Sequence, residues 1–218
     1  MLKKEKYRRV LEYLSEKYPY PETELEYNDP FGLLVAVMLS AQCTDKRVNM
    51  ITPSLLKAFP DAETLARANR DDVFNLIRSC SYPNSKTKNL IGMARMLTEK
   101  FGGRVPDDPE VLQQLPGVGR KTANVVASVL FKKPVIAVDT HVYRVSVRLG
   151  LALKAKTPLD VELQLEKHID TGLRHKAHHW LIFHGRYTCR SRNPLCSECG
   201  LAELCRFYHR KKHKSLLR

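Results

Sequence analysis

Four cysteines crowd into one stretch near the C-terminal end: Cys189, Cys196, Cys199 and Cys205, spaced Cys-x6-Cys-x2-Cys-x5-Cys within 17 residues. The two other cysteines, Cys43 and Cys80, stand alone. Such clustering reads as metal ligation before disulfide bonding, because closely spaced thiolates form a compact set of soft donors. A zinc ribbon usually shows two Cys-x2-Cys pairs and this chain has one, yet zinc and an iron–sulfur cluster both accept four thiolates, so spacing leaves both open. Arg186, Arg190, Arg192 and Arg206 interleave with the cysteines, so a metal-folded loop would present cations at its surface. From residue 184 to 218 there are nine Lys and Arg against two Glu, a concentration that suits phosphate contacts.

A second constellation is Leu115-Pro116-Gly117-Val118-Gly119-Arg120-Lys121-Thr122-Ala123, which reads as a turn between two helices. Gly117 and Gly119 would expose backbone amides at the second helix's N-terminus, where the helix dipole attracts phosphate and the missing Cβ atoms let a nucleic-acid backbone approach. Glycines also serve ordinary chain reversals. The Arg120-Lys121 pair and the basic composition favour phosphate. In the third constellation, Val138-Asp139-Thr140-His141-Val142-Tyr143-Arg144, the aspartate taken alone is a helix N-cap.

The elements that must position these residues read as helices throughout. Tyr7, Val10, Leu11, Leu14 and Tyr18 mark an amphipathic helix stopped by Pro19 and Pro21; Phe31 to Leu39 is apolar all round, as in a buried helix. Shorter helices are expected over Pro53 to Phe59, Ala62 to Ala68 and Asp71 to Arg78, then longer ones from Lys86 to Phe101 and after Gly119. Val135 to Val138 could form a strand, but nothing signals a partner for it, so a buried connector is expected. Thr140 to Leu149, Pro158 to Thr171 and His175 to Arg186 complete an all-α fold.

Composition sets the outer limits. The chain has 218 residues, 43% of them hydrophobic and 28% charged, which is globular rather than disordered or fibrous. Lys and Arg number 37 against 23 Asp and Glu, a net charge of +14 that points to a polyanion, nucleic acid before membrane. No apolar run reaches the length of a membrane span, and no apolar signal region opens the chain, so a reducing compartment is expected.

The hairpin with Lys121, the Asp139 motif and the Cys quartet occur in the order and spacing of the endonuclease III family of DNA repair glycosylases. Leu39-Ser40-Ala41-Gln42-Cys43-Thr44-Asp45 and Trp180 to Cys189 also resemble family segments, so the likeness covers nearly the whole chain. The resemblance implies a [4Fe–4S] cluster and two helical domains flanking an active-site cleft. One would be a six-helix barrel over residues 24–133 with its helix-hairpin-helix at about 110–130; the other would join 1–23 to 134–218 and carry the cluster loop, 189–205. It also implies base-excision repair by a bifunctional DNA glycosylase and AP lyase that removes oxidised pyrimidines from duplex DNA and cleaves the abasic site through a lysine Schiff base. Lys121 would be the nucleophile and Asp139 its partner.

DNA contacts are expected from Gln42, which would fill the space the base vacates, and from Gly117, Gly119, Arg120, His141, Arg186 and Arg190. The segment from Cys80 to Lys86 departs from the family's usual Gly, apolar and aromatic residues before Asn84, and Tyr82 is the candidate wedge, with core packing as its competing explanation. Related adenine glycosylases carry a Glu in the buried helix where this chain has Ala36, and they usually lack a Lys at position 121, so adenine excision is rejected. The protein is expected to be a monomer, cytoplasmic and nucleoid-associated. Two alternatives are a same-fold enzyme for oxidised purines or mismatched thymine, and a non-catalytic, zinc-stabilised DNA-binding module; Lys121, Asp139 and Gln42 together argue against the second.

Overall fold

The computed structural model describes residues 2–210; the basic residues of 211–218, counted above among the phosphate-contact candidates, lie outside the described residues. The described residues are helical with no β-strand, and the chain divides into two compact units, Met1–Glu22 with Pro134–Arg218, and Thr23–Lys133.

Helix α1 (Lys3–Lys17) opens the first unit and buries Tyr7, Val10 and Leu14 along one stripe. The second unit begins with α2 (Pro30–Ser40), capped by Asp29, whose Oδ1 accepts from the Gly32 amide at 2.8 Å. Every residue from Phe31 to Leu39 is buried, as an all-apolar helix requires. Helix α3 (Asp45–Ala58) starts eight residues before the expected Pro53, which lies inside it. Thr44 supplies the N-cap, and Val48, Ile51, Thr52 and Leu55 form a buried face on both sides of the proline. That continuous burial outweighs the roughly 3 kcal/mol that an internal proline costs.

Short helices α4 (Ala62–Ala66), with an Asp61–Thr64 capping box, and α5 (Arg70–Ile77), capped by Asn69, precede the long α6 (Pro83–Phe101). Helix α7 (Pro109–Leu112) and α8 (Arg120–Phe131) pack together as the two arms of the hairpin.

In the first unit, residues 135–138 form the expected connector. Ile136 donates its amide to Glu166 Oε1 at 3.1 Å and the Ala137 carbonyl accepts from His178 Nδ1 at 2.7 Å. Side chains thus satisfy a buried backbone that would otherwise need a strand partner. Helices α9 (Thr140–Leu149), α10 (Pro158–His168) and α11 (Arg174–Phe183) follow. Val142, Val145, Leu149, Leu165, Trp180 and Leu181 close a core with the buried stripe of α1, and the Trp180 indole donates to the Tyr18 carbonyl at 2.9 Å. Residues His184–Thr188 continue α11 as a π-turn, closed by the Cys189 amide on the His184 carbonyl at 2.6 Å. This widened turn, a feature sequence periodicity does not signal, aims the chain into the cysteine loop.

Candidate active site

The hairpin places Lys121 in the first turn of α8, one residue after Arg120; both side chains are exposed. Gly119 is the N-cap, no side chain caps the turn, and the turn holds no acid. Two cations at the positive end of a helix dipole are unfavourable for the isolated helix and make sense opposite an anion.

The two glycines have different reasons. Gly117 has φ +79°, and a Cβ there would lie 2.6 Å from the Asn89 Cβ, so backbone conformation and internal packing demand it. A Cβ on Gly119 would meet nothing within 4 Å among the described residues, so the space beside this N-cap is open to an external partner. Gly117→Ala should therefore lower stability by about 1–3 kcal/mol. Gly119→Ala should change stability by less than about 1 kcal/mol and still weaken DNA binding; thermal melts and DNA titration of the two variants separate these outcomes.

Asp139 lies in the other unit, half-buried at the N-terminus of α9, where Oδ1 accepts from the Val142 amide at 2.8 Å. It is a helix cap, as its position alone suggests, and the cap orients the carboxylate. Two residues on, His141 packs against Gly185, where a Cβ would come within 2.8 Å of the His141 Cβ. Burial holds the His141 imidazole below its ordinary range; Asp139 opposes that shift, and Arg144 and Arg186 add to it. His141 is thus neutral near pH 7.

Helix α9 also holds the cysteine loop through residues that sequence reasoning missed. Arg144 donates to the carbonyls of Cys189 at 3.1 Å and Gly185 at 2.9 Å. One turn later, Arg148 donates to the carbonyls of Arg190 at 2.7 Å and Ser191 at 3.0 Å and stacks over Phe207. Their i, i+4 spacing on one helix face was the available signal. Arg186 is half-buried and Arg190 exposed.

Cys189, Cys196, Cys199 and Cys205 line one cavity with His184, Thr188 and Leu195. His184 is buried, and burial pushes its pKa down to about 4, so it is a neutral imidazole. Its Nε2 lies 3.7 Å from Cys199 Sγ, while its buried Nδ1 has no hydrogen-bond partner among the described residues. Four soft thiol donors lining one cavity, with the neutral His184 imidazole beside them, fit an iron–sulfur cluster. The loop also has apolar anchors of its own, since Leu201 and Leu204 are buried among the helices of the first unit.

In the second unit, Gln42 and Tyr82 are both exposed, both in the left-handed region with φ 55°, and tied together. Ser81 Oγ donates to the Gln42 carbonyl at 2.6 Å, and Lys86, 8% exposed, donates to the carbonyls of Leu39 and Ala41, each at 2.7 Å. The Lys86 ammonium thus closes the C-terminus of α2, where the dipole favours a cation. Sequence reasoning missed it because nothing in the pattern distinguishes a buried lysine from an exposed one. Tyr82 is 64% exposed, which removes core packing as its explanation.

Residues 35–171 match the HhH-GPD superfamily of base excision DNA repair proteins, and residues 189–205 match the iron–sulfur binding domain of endonuclease III. The chain is accordingly a helix-hairpin-helix repair protein with an iron–sulfur loop. It is 46% identical to endonuclease III of Rickettsia conorii over 204 residues, covering 94% of this chain and 97% of that protein. Against endonuclease III of Escherichia coli K12 it is 42% identical over 206 residues, again 94% and 97%. A trapped endonuclease III–DNA covalent intermediate superposes with a TM-score of 0.93 at 42% identity, covering 97% of this chain and all of that one. A thermostable thymine-DNA glycosylase, at 22% identity and TM-score 0.84, shares the fold. The chain belongs to the endonuclease III family, DNA glycosylases with AP lyase activity. Its cofactor is the [4Fe–4S] cluster that the family's endonuclease III members carry.

Cys189, Cys196, Cys199 and Cys205 would hold the cluster, which would crosslink the loop and contribute folding free energy. Cys199→Ser should remove iron and sulfide, abolish the yellow-brown colour, lower stability by about 3 kcal/mol or more and weaken DNA binding in parallel. Iron analysis, a thermal melt and a DNA titration on one preparation check this.

Proposed function

We propose that Lys121 and Asp139 perform the glycosylase and lyase steps on oxidised pyrimidines in duplex DNA. The observation that carries this reading is the first turn of α8: an uncapped, acid-free helix N-terminus that presents the Lys121 amine beside the open approach at Gly119. Phosphate bound there by the amides and Arg120 would bring the sugar within reach of the amine.

The free amine attacks C1′, the base departs, and the sugar opens to a Schiff base; the imine acidifies the C2′ proton, and β-elimination breaks the strand 3′ to the lesion. A covalent intermediate trapped in a relative of 42% identity supports this route. Asp139, its direction set by the Val142 amide, accepts a proton or stabilises the positive sugar carbon as the base leaves.

The target base must first leave the stack, and an oxidised, non-planar pyrimidine stacks poorly, which lowers that cost. Gln42 and Tyr82, exposed on tied loops, fill the gap and wedge the duplex. Gly117 shapes the hairpin turn, and His141, Arg186 and Arg190 contact the DNA near the lesion, the last two at its phosphates. The protein acts as a monomer in the cytoplasm, on the nucleoid, with residues 24–133 as the hairpin-bearing barrel and 1–23 plus 134–218 as the cluster domain; among the described residues no helix is long and apolar enough to cross a membrane.

Borohydride trapping over a lesion panel tests the assignment. Covalent adducts with thymine glycol and abasic duplexes, and none with 8-oxoguanine or a G·T mismatch, are expected; the reverse pattern would transfer the enzyme to another lesion class.

A further inference from the structure

The two cysteines outside the cluster loop are 37 residues apart in sequence, yet Cys43 Sγ and Cys80 Sγ lie 3.8 Å apart. Cys43 immediately follows Gln42, and Cys80 lies two residues before Tyr82, so the thiols meet where the two loops are already tied by Ser81 and Lys86. Cys43 is half-buried and reachable from solvent, whereas Cys80 is 4% exposed. A disulfide needs an S–S distance of about 2.0 Å. The sulfurs must therefore approach by nearly 2 Å, and the backbone that flanks them is the DNA-facing one, held in the left-handed region at φ 55° in Gln42 and Tyr82.

We propose that Cys43 and Cys80 form a modification site for peroxides, and that their disulfide moves the Gln42 and Tyr82 loops out of their DNA-binding arrangement. The second part rests on the DNA-facing role given to those loops above. The chemistry takes two steps. Cys43 attacks the peroxide O–O bond and becomes a sulfenic acid with loss of one water; the Cys80 thiol then displaces the sulfenic oxygen as a second water and forms the disulfide. Two electrons pass from the thiol pair to hydrogen peroxide, and a dithiol reductant reverses the process. Burial pushes the Cys80 thiol up to about 11, with the Cys43 sulfur adding to the shift and Lys86 and Arg47 opposing it, which assigns first attack to Cys43. In a reducing compartment the pair rests as dithiol, and a cytosolic disulfide of this kind is transient and redox-sensing.

The test uses holoprotein treated with graded hydrogen peroxide, its visible cluster absorption followed throughout, then blocked with N-ethylmaleimide and digested with trypsin. The peptide ending at Lys46 should appear linked to Ser79–Lys86 and be released by dithiothreitol. The linked protein should bind a duplex with a non-cleavable abasic analogue about tenfold or more weaker, equal to about 1.4 kcal/mol, and dithiothreitol should restore binding. Cys43→Ala and Cys80→Ala should each bind like reduced wild type and lose peroxide sensitivity.

No linked peptide at doses that leave the cluster intact would overturn the proposal, as would a linked protein that binds as tightly as the reduced one. Gln42→Ala and Tyr82→Ala, assayed reduced, separate the two ideas. If they weaken binding while the disulfide does not, the DNA-facing reading stands and the proposed control of binding by the disulfide falls. If they leave binding unchanged, that reading falls and takes the binding effect with it, while the linked peptide still decides the thiol chemistry.

Discussion

Lys121→Gln should abolish base release and strand cleavage together, by on the order of 10⁴-fold or more, while DNA affinity stays within a few-fold of wild type. Glutamine keeps most of the side-chain volume and suits the first turn of α8, so the hairpin, its Gly117 turn and its exposed amides remain in place. What it removes is the amine that forms the imine. Both activities pass through that bond, so a variant that kept one and lost the other would contradict a shared intermediate. Borohydride with thymine-glycol DNA should trap wild type as a covalent adduct and the variant not at all; an adduct at the wild-type rate would mean that the nucleophile lies elsewhere.

Asp139→Asn should slow both steps by about 10²-fold or more, with little loss of stability. Asparagine caps a helix as well as aspartate does, so the bond to the Val142 amide survives and α9 keeps its start. The carboxylate charge does not survive, and it is the charge that stabilises the developing positive sugar carbon. Asp139→Ala is the less informative change, since it would also cost about 1 kcal/mol through the lost cap. Single-turnover base release at saturating enzyme, set beside a thermal melt, reads chemistry and cap separately; a wild-type rate in Asp139→Asn would reduce the residue to its cap.

Much of the molecule is legible in the sequence because its signals are local. The buried run from Phe31 to Leu39, the amphipathic stripe of α1 and the cap at Asp139 depend on neighbours three or four residues away, so periodicity and cap chemistry place them. The cysteine spacing and the Gly117–Lys121 hairpin are likewise contiguous, and their chemistry follows from residue type. Tertiary structure decided what residues distant in the chain do to one another. Helix α3 runs through Pro53 because its buried face continues past a residue that, on propensity alone, starts or ends a helix. Gly117 and Gly119 look equivalent in sequence and part only when Asn89 is placed against one and nothing against the other. Tyr82 could be core or surface until its neighbours are known, and Lys86 looks like any surface lysine until the carbonyls of Leu39 and Ala41 close around it. Cys43 and Cys80 stand alone in the sequence and nearly touch in space, because separation along the chain carries no information about distance once helices reverse its direction.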